Sequence, residues 1–462
     1  MWGEALAFAP MANVRVWEDD PLAGALAVER AQAKLPKAPM GITIDVPAPP
    51  AKLYDVGTPE FRYWQAADAL ARGAAFWKAV VPKATTWQAG KVLPVRLDAG
   101  DRLNALYTRA ELRFFHTNVA GTMVFTGESP DVVCHEMGHA VLDAVRPQLW
   151  DAMSHEVAAF HESFGDMSAI LVALQQPAIR QEVLAETGGA LYRSSRLSRV
   201  AEQLGWGQRQ RQPCSAEGDC LRNAVNCFAY QPPTTLPNTS PAVLLSSAPH
   251  SFSRVFTGAF FQMYAGMVVL LRRPPTADDL LQASVDAGRL LVTAVQAAPI
   301  VPDYMAQVSA HILEADKVLF EGRYASAIEF GFGGRGILSL PSARTVTGTP
   351  VPAAFASDSI AGLDLPSTAF TGSEFGLDRP VVMRVPGQPR RLAALAVGAD
   401  GGSMAAAPAE EVAAGFLREL MLRRRVALPG DGDVDPGGPG PLKTHRLVDR
   451  GDHLTVERVL VD

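Results

Sequence analysis

Two apolar stretches with helical spacing, near 130–145 and 155–175, are joined by the short connection Pro147–Ser154, and both carry ionisable side chains within their length. Helices joined so closely return antiparallel, so this pair sets the centre of any fold the chain adopts. The first stretch contains His135-Glu136-Met137-Gly138-His139, an HExxH pattern. Its start is well marked: Ser129 suits the N-cap, Pro130 the first helical position and Asp131 the positive helix end. Val132, Val133 and Ala140–Val145 continue the apolar length until Pro147 stops it. Residues four apart share a helix face, so the two imidazoles can converge on one metal ion. Glu136, one residue after the first imidazole, can reach a water on that ion without ligating it. Zinc suits imidazole and carboxylate ligands, and needs a third protein ligand if water is to hold the fourth position.

The second stretch offers that ligand. Val157, Phe160, Phe164, Met167, Ile170 and Leu171 form its apolar face, while Glu162 and Asp166 lie four apart on a common face. Phe160 and Phe164 flank Glu162, which argues against a fully solvated acidic surface. Glu162 can supply the third ligand, and Asp166 can accept a hydrogen bond from the free ring nitrogen of a ligand histidine, fixing its tautomer.

The run DVVCHEMGHAV followed by HESFGD resembles the thermolysin-like zinc metallopeptidases, the gluzincins with HExxH and a downstream ExxxD. That resemblance implies one zinc per chain held by His135, His139 and Glu162, with Glu136 as general base and Asp166 behind a ligand histidine. Asn104-Ala105-Leu106-Tyr107 resembles the family's edge strand, which implies substrate-backbone binding at Asn104, Ala105 and Tyr107. Pro249-His250-Ser251-Phe252 resembles the segment of the transition-state histidine, and Leu221-Arg222-Asn223 that of the active-site arginine, which implies catalytic roles for His250 and Arg222. The implied activity is hydrolysis of internal peptide bonds by a zinc-activated water. Met153 stands where the family carries a tyrosine that assists the oxyanion. Asp131 matches a calcium ligand, but the acidic cluster that completes that site after Asp166 is missing, so a calcium site is not expected. Two other classes stay open: a metal-bearing binding protein with little or no turnover, and a zinc hydrolase of non-peptide amides.

The rest of the chain frames this centre. Hydrophobic residues make up 48% and charged residues 19% of 462 residues, which excludes a disordered chain. A net charge of −6 offers no general basic surface, so nucleic acid is not expected as a partner, while the resemblance implies a peptide or protein substrate. The fold class expected is α+β with two lobes flanking the zinc cleft. Residues 1–128 form a lobe with an antiparallel sheet beside a helix opening at Pro59. Residues 129–340 form a helical catalytic lobe, and residues 341–462 a smaller appendage. Further helices are expected near 252–272, 277–297, 303–320, 323–332 and 408–425. Residues 206–249 read as a long loop, 429–441 as a linker, and 444–461 as a hairpin around Arg450-Gly451-Asp452. The apolar run Val255–Leu271 reads as a buried core helix and not as a membrane span. No basic n-region followed by an apolar segment opens the sequence, which points to the cytoplasm, or to secretion of a processed chain. Cys214, Cys220 and Cys227 cluster without a CxxC pair, leaving one loop disulfide or free thiols as the alternatives.

Overall fold

The computed structural model describes residues 12–24, 27–339, 364–387, 396–397, 403–404, 407–431 and 440–462. In chain order, β1 (Asn13–Trp17), β2 (Ala27–Ala31) and β3 (Gly41–Ile44) precede α1 (Pro59–Val80), which is followed by β4 (Val92–Arg96), β5 (Ala105–Tyr107), β6 (Leu112–Phe114), β7 (His116–Val119) and β8 (Thr122–Phe125). The helical part contains α2 (Pro130–Val145), α3 (His155–Ala173), α4 (Pro177–Thr187), β9 (Arg199–Val200), α5 (Glu202–Arg211), β10 (Arg222–Asn223), α6 (Pro249–Leu271), α7 (Ala277–Ala297), α8 (Tyr304–Phe320) and α9 (Ala325–Ile328). Then come β11 (Ser367–Phe370), β12 (Val381–Arg384), β13 (Ala396–Val397), β14 (Ser403–Met404), α10 (Ala409–Leu422), β15 (Val426–Ala427), β16 (His445–Asp449) and β17 (Leu454–Arg458). The architecture is α+β.

The N-terminal sheet has the order β3-β4-β6-β5 and is mixed. β3 pairs parallel with β4 and β4 parallel with β6, while β5 and β6 are antiparallel. This corrects the expected antiparallel sheet. The reason is the crossover: α1 lies between β3 and β4 in sequence, and a helical crossover returns the chain in the same direction. The β5–β6 turn passes through Arg109 at a φ of 69°, with Thr108 N–H donating to Glu111 O at 3.1 Å. Thr58 caps α1 by accepting from Phe61 N–H, and α1 ends immediately before Pro82.

α2 and α3 form the centre and run antiparallel. Cys134, His135 and Gly138 on one face Ser168, Asp166 and Gly165 on the other. Ser129 and Ser154 cap their starts by accepting from Val132 and Val157 N–H. α1 locks this pair from behind, where Trp77 Nε1–H donates to Ser168 Oγ and Ser168 Oγ–H donates to Cys134 O. On the other side Ser163 Oγ–H donates to Ser253 O in α6. α6 is long and apolar enough to cross a membrane, but 72% of that stretch is buried inside the protein, where Phe252, Phe256 and Phe260 are completely enclosed.

β11-β12-β17-β16-β15 make a five-stranded sheet covered by α10. Val381, Met383, Phe416, Leu417, Leu447 and Val456 form a core of their own, which closes onto Met153 and Ala158 of the helical lobe. Met153 N–H also donates to Arg384 O at 3.1 Å. The C-terminal part is therefore docked at the start of α3. The expected domain boundary at 341 and most of the expected 429–441 linker lie outside the described residues. All four cysteines are free thiols.

Candidate metal centre

α2 delivers His135, Glu136 and His139, and α3 delivers Glu162 and Asp166. His135 Nε2 lies 3.6 Å from Glu162 Oε2, and His139 Nε2 lies 3.9 Å from Glu162 Oε1. The two rings stand at 89° with centroids 4.7 Å apart. His135, Glu136 and His139 bring one ligand atom each within 4.8 Å of one another. Behind His135, its Nδ1 meets Asp166 Oδ1 at 3.0 Å. Arg222 grips the same carboxylate twice, Nη2 to Oδ1 at 2.6 Å and Nε to Oδ2 at 2.9 Å. His250, at the start of α6, presents Nε2 3.0 Å from Glu162 Oε2 and keeps 41% of its side chain exposed.

Two glycines missed in the sequence reading make this approach feasible. A Cβ at Gly165 would stand 2.6 Å from the His135 ring, and one at Gly138 would stand 2.9 Å from Gly165 Cα. Only without side chains at these positions do α2 and α3 come close enough for Glu162 to face both imidazoles. Their signal in the sequence was a glycine inside HExxH and another three residues after Glu162.

Electrostatics divides the groups by role. Burial favours the neutral imidazole of His139 and pulls it down to about 3, so it is unprotonated and ready to ligate. Burial also disfavours the cation of His135, but its contacts with Asp166 and Glu162 outweigh that and lift it to about 9. Burial would raise Asp166, yet Arg222 and His135 hold it down at about 2. Glu162 is likewise held well below its ordinary value by His250 and His135 against its burial. Burial, with the neighbouring Glu162 and Asp462, pushes Glu136 up to about 8 against the opposing pull of His135 and Arg222.

A metal fits this donor set on the evidence of the side chains themselves. Both ring nitrogens of His139 and Oε2 of Glu136 are buried with no hydrogen-bond partner. Buried polar atoms are nearly always paired, so orphans gathered at one point indicate a ligand. His161 of α3 is also buried with both ring nitrogens unpartnered, its ring centroid 5.8 Å from that of His139.

Two expectations need correction. The Asn104–Tyr107 segment is the outer strand of its sheet, but it is not exposed: Ala105, Leu106 and Tyr107 are buried, and Val461 pairs with Tyr107. The Tyr107 side chain turns away into the core, where its hydroxyl donates to Asp143 Oδ2. Arg222 is buried against Asp166, so it positions the carboxylate that orients His135.

Asp131 was expected to serve the helix end alone. Instead Asp20, Asp131 and Glu202 bring one oxygen each within 4.8 Å of one another, a second group able to hold a cation. Asp20 and Glu202 lie far from Asp131 on either side of it in the chain, so no local spacing announces the group.

No protein-family model matches the chain, and no curated protein matches it. Among solved structures it is similar to the precursor of protealysin, a metalloproteinase from Serratia proteamaculans, at 14% identity over 72% of this chain and 89% of that chain, with a TM-score of 0.42. At that distance the likeness is one of outline, and the reading of the site rests on its own residues.

Proposed function

We propose that this protein is a zinc-dependent metallopeptidase that hydrolyses internal peptide bonds. His139 carries the reading. A fully buried imidazole with neither nitrogen bonded, facing a carboxylate and a second imidazole, is the donor arrangement that zinc takes. Leaving such a group unpaired costs about 1–3 kcal/mol, which ligation offsets. His135, His139 and Glu162 would hold one zinc with a position to spare. When bound, zinc lowers the pKa of a coordinated water and polarises a carbonyl oxygen. Glu136 takes a proton on its unpartnered Oε2 and returns it to the leaving amine nitrogen. A nearby cation is also what brings its raised pKa back into the range of a base. His250 reaches the cleft from α6 and can donate Nε2–H to a developing oxyanion. Asp166, clamped by Arg222, holds the Nδ1–H of His135 and so keeps Nε2 turned inward.

The covered edge of β5 favours a second reading, a metal-bearing protein with little turnover as purified. One experiment separates the two: elemental analysis, followed by assay on a broad peptide library with and without chelator. One zinc per chain and chelator-sensitive cleavage are expected. Zinc without cleavage supports the second reading. Unchanged metal content in His139→Ala and Glu162→Ala overturns both.

A further inference from the structure

On the outer side of β5, Tyr107 N–H donates to Val461 O at 3.0 Å, and Val461 N–H donates to Tyr107 O at 2.9 Å, in antiparallel register. Backbone groups along a strand point alternately to its two sides. Ala105 therefore turns its own N–H and C=O to that same outer side, one rung nearer Asn104. An extended peptide laid along Asn104–Tyr107 uses both rungs, and Val461 already holds one of them.

The segment is seated there firmly. Leu460 and Val461 are 2% and 5% exposed, and Leu460 packs with Leu106, Phe115 and Leu442. Asp462 forms an ion pair with Arg425. Its charge also reaches the metal-centre groups: it contributes to the raised pKa of Glu136, and His250 helps hold its own below the ordinary value.

The attachment is nevertheless separable from the rest of the lobe. β17 is anchored by its pairing with β16 and by Trp150 Nε1–H donating to Arg458 O. The lobe is tied to the helices elsewhere, through His155 Nε2 and Ser247 Oγ on Glu419 Oε2, at 2.8 and 2.7 Å, and through Met153. Val459 and Leu460 stay with the lobe, their N–H groups donating to Thr444 O at 2.8 and 3.4 Å, while releasing the Tyr107 rung and the Arg425 pair frees Val461 and Asp462 without undocking the sheet.

We propose that Val461–Asp462 is a built-in competitor for extended peptides at β5, so that the edge suited to hold substrate stays closed until this segment is displaced. The purpose of that edge rests on the peptidase reading, but the test does not require turnover. The probe is a fluorescein-labelled peptide of sequence Arg-Val-Leu-Val-Asp, that of residues 458–462, with binding read by anisotropy. Val461→Pro removes the N–H that Tyr107 O accepts. It should bind the probe about tenfold more tightly than the wild type, because a competing closed state lowers apparent affinity by the fraction it occupies. Asp462→Ala, which spares the backbone rung, should give a gain of about threefold. Arg446→Ala, at an exposed pair with Glu457, should bind as the wild type does. A folding defect in Val461→Pro is bypassed in the unmodified protein: saturating unlabelled probe should speed hydrogen exchange at the Val461 amide. Unchanged affinity in both tail variants, or unchanged Val461 exchange, overturns the proposal whether or not peptides are cleaved. Tighter binding without cleavage in any zinc-loaded variant upholds the proposal and overturns the peptidase reading instead.

Discussion

Asp131 and His135 lie one turn apart on α2, and each belongs to a buried cluster of ionisable groups. Around His135 the charges alternate. Arg222, Asp166, His135, Glu162 and His250 form a chain of contacts in which each carboxylate meets a cationic partner, and both carboxylates are held low. Around Asp131 the signs repeat. Asp19, Asp20 and Glu202 crowd it with no cation at the centre, although Arg196 and Arg199 stand at the rim. Burial foremost and the neighbouring carboxylates after it raise Asp131 well above its ordinary value, and Glu202 to about 10. The same helix thus carries one cluster organised to keep its carboxylates ionised and one organised to hold protons or a cation. Only the first has the orphaned imidazole that marks a transition-metal ligand.

The sharpest break in the comparison lies at the one carboxylate of the first cluster that lacks a tight partner. Glu136→Gln keeps volume and removes the base. Zinc content should be unchanged while turnover falls by about 10²–10⁴, read as kcat on a library-selected peptide. Near-normal turnover would rule out the role given to Glu136.

Next comes the clamp. Arg222→Met leaves Asp166 buried without its guanidinium, and breaking such a pair costs about 3–5 kcal/mol. Zinc affinity should fall about 10–100-fold as His135 loses its fixed orientation. The pH dependence has a definite sign. Asp166 is depressed from 3.8 to about 2, so its contribution is present above pH 4 and is lost as pH falls toward 2. In the variant that acid-side loss should largely vanish from the denaturation profile. An unaltered profile would mean that Arg222 is an ordinary buried arginine.

The features of this centre that were legible in the sequence are local ones. HExxH, the Ser129 cap and the Glu162–Asp166 spacing all lie within a few turns of chain, where helical geometry alone relates them. What escaped depends on distant segments meeting. Nothing near Tyr107 announces Val461, and nothing near Asp131 announces Asp20. The later part of α5 falls in the stretch 206–249 that reads as loop, because the helix is polar and carries Gly205 and Gly207. Yet a Cβ at Gly205 would run into the backbone of Cys220 and Leu221, so that glycine serves close packing. The mixed sheet was misread for a similar reason: strand runs reveal pairing partners poorly, while the α1 crossover decides their direction.

Gly165→Ala tests that kind of tertiary constraint at the metal centre. Its Cβ would meet the His135 ring at 2.6 Å, so the imidazole must leave its position between Asp166 and Glu162. Overpacking of this sort costs about 1–3 kcal/mol. Gly138→Ala meets Ser168, Gly165 and Phe164 first, at 2.8, 2.9 and 3.1 Å, and should cost a similar amount in a thermal melt. Zinc loss in Gly165→Ala beyond that in Gly138→Ala separates ligand displacement from general strain.

The smallest effect concerns the acidic cluster. Asp19 is raised to about 7 and Asp20 is raised as well, burial being the main cause in both. In the folded protein Asp19 keeps, up to about pH 7, a proton that the unfolded chain releases near pH 4, and Asp20 shifts in the same direction. The folded state then binds more protons than the unfolded one, so stability falls as pH rises through 5 to 8. In chelator, the wild-type melting temperature should decline across that range. Asp20→Asn removes one ionisation while its oxygen can still accept from Leu22 and Gln203 N–H, so the decline should be shallower. At pH 8 a difference of about 1 kcal/mol corresponds to a shift of roughly 1 °C for a chain of this length. Repeating the melts with millimolar calcium distinguishes the two ways of relieving crowded carboxylates. A slope flattened by calcium in the wild type, and not in Asp20→Asn, assigns the cluster to a cation. An unchanged slope assigns it to bound protons, and a slope absent even in chelator would mean that these carboxylates are ionised in the folded protein and that the contrast with the His135 cluster fails.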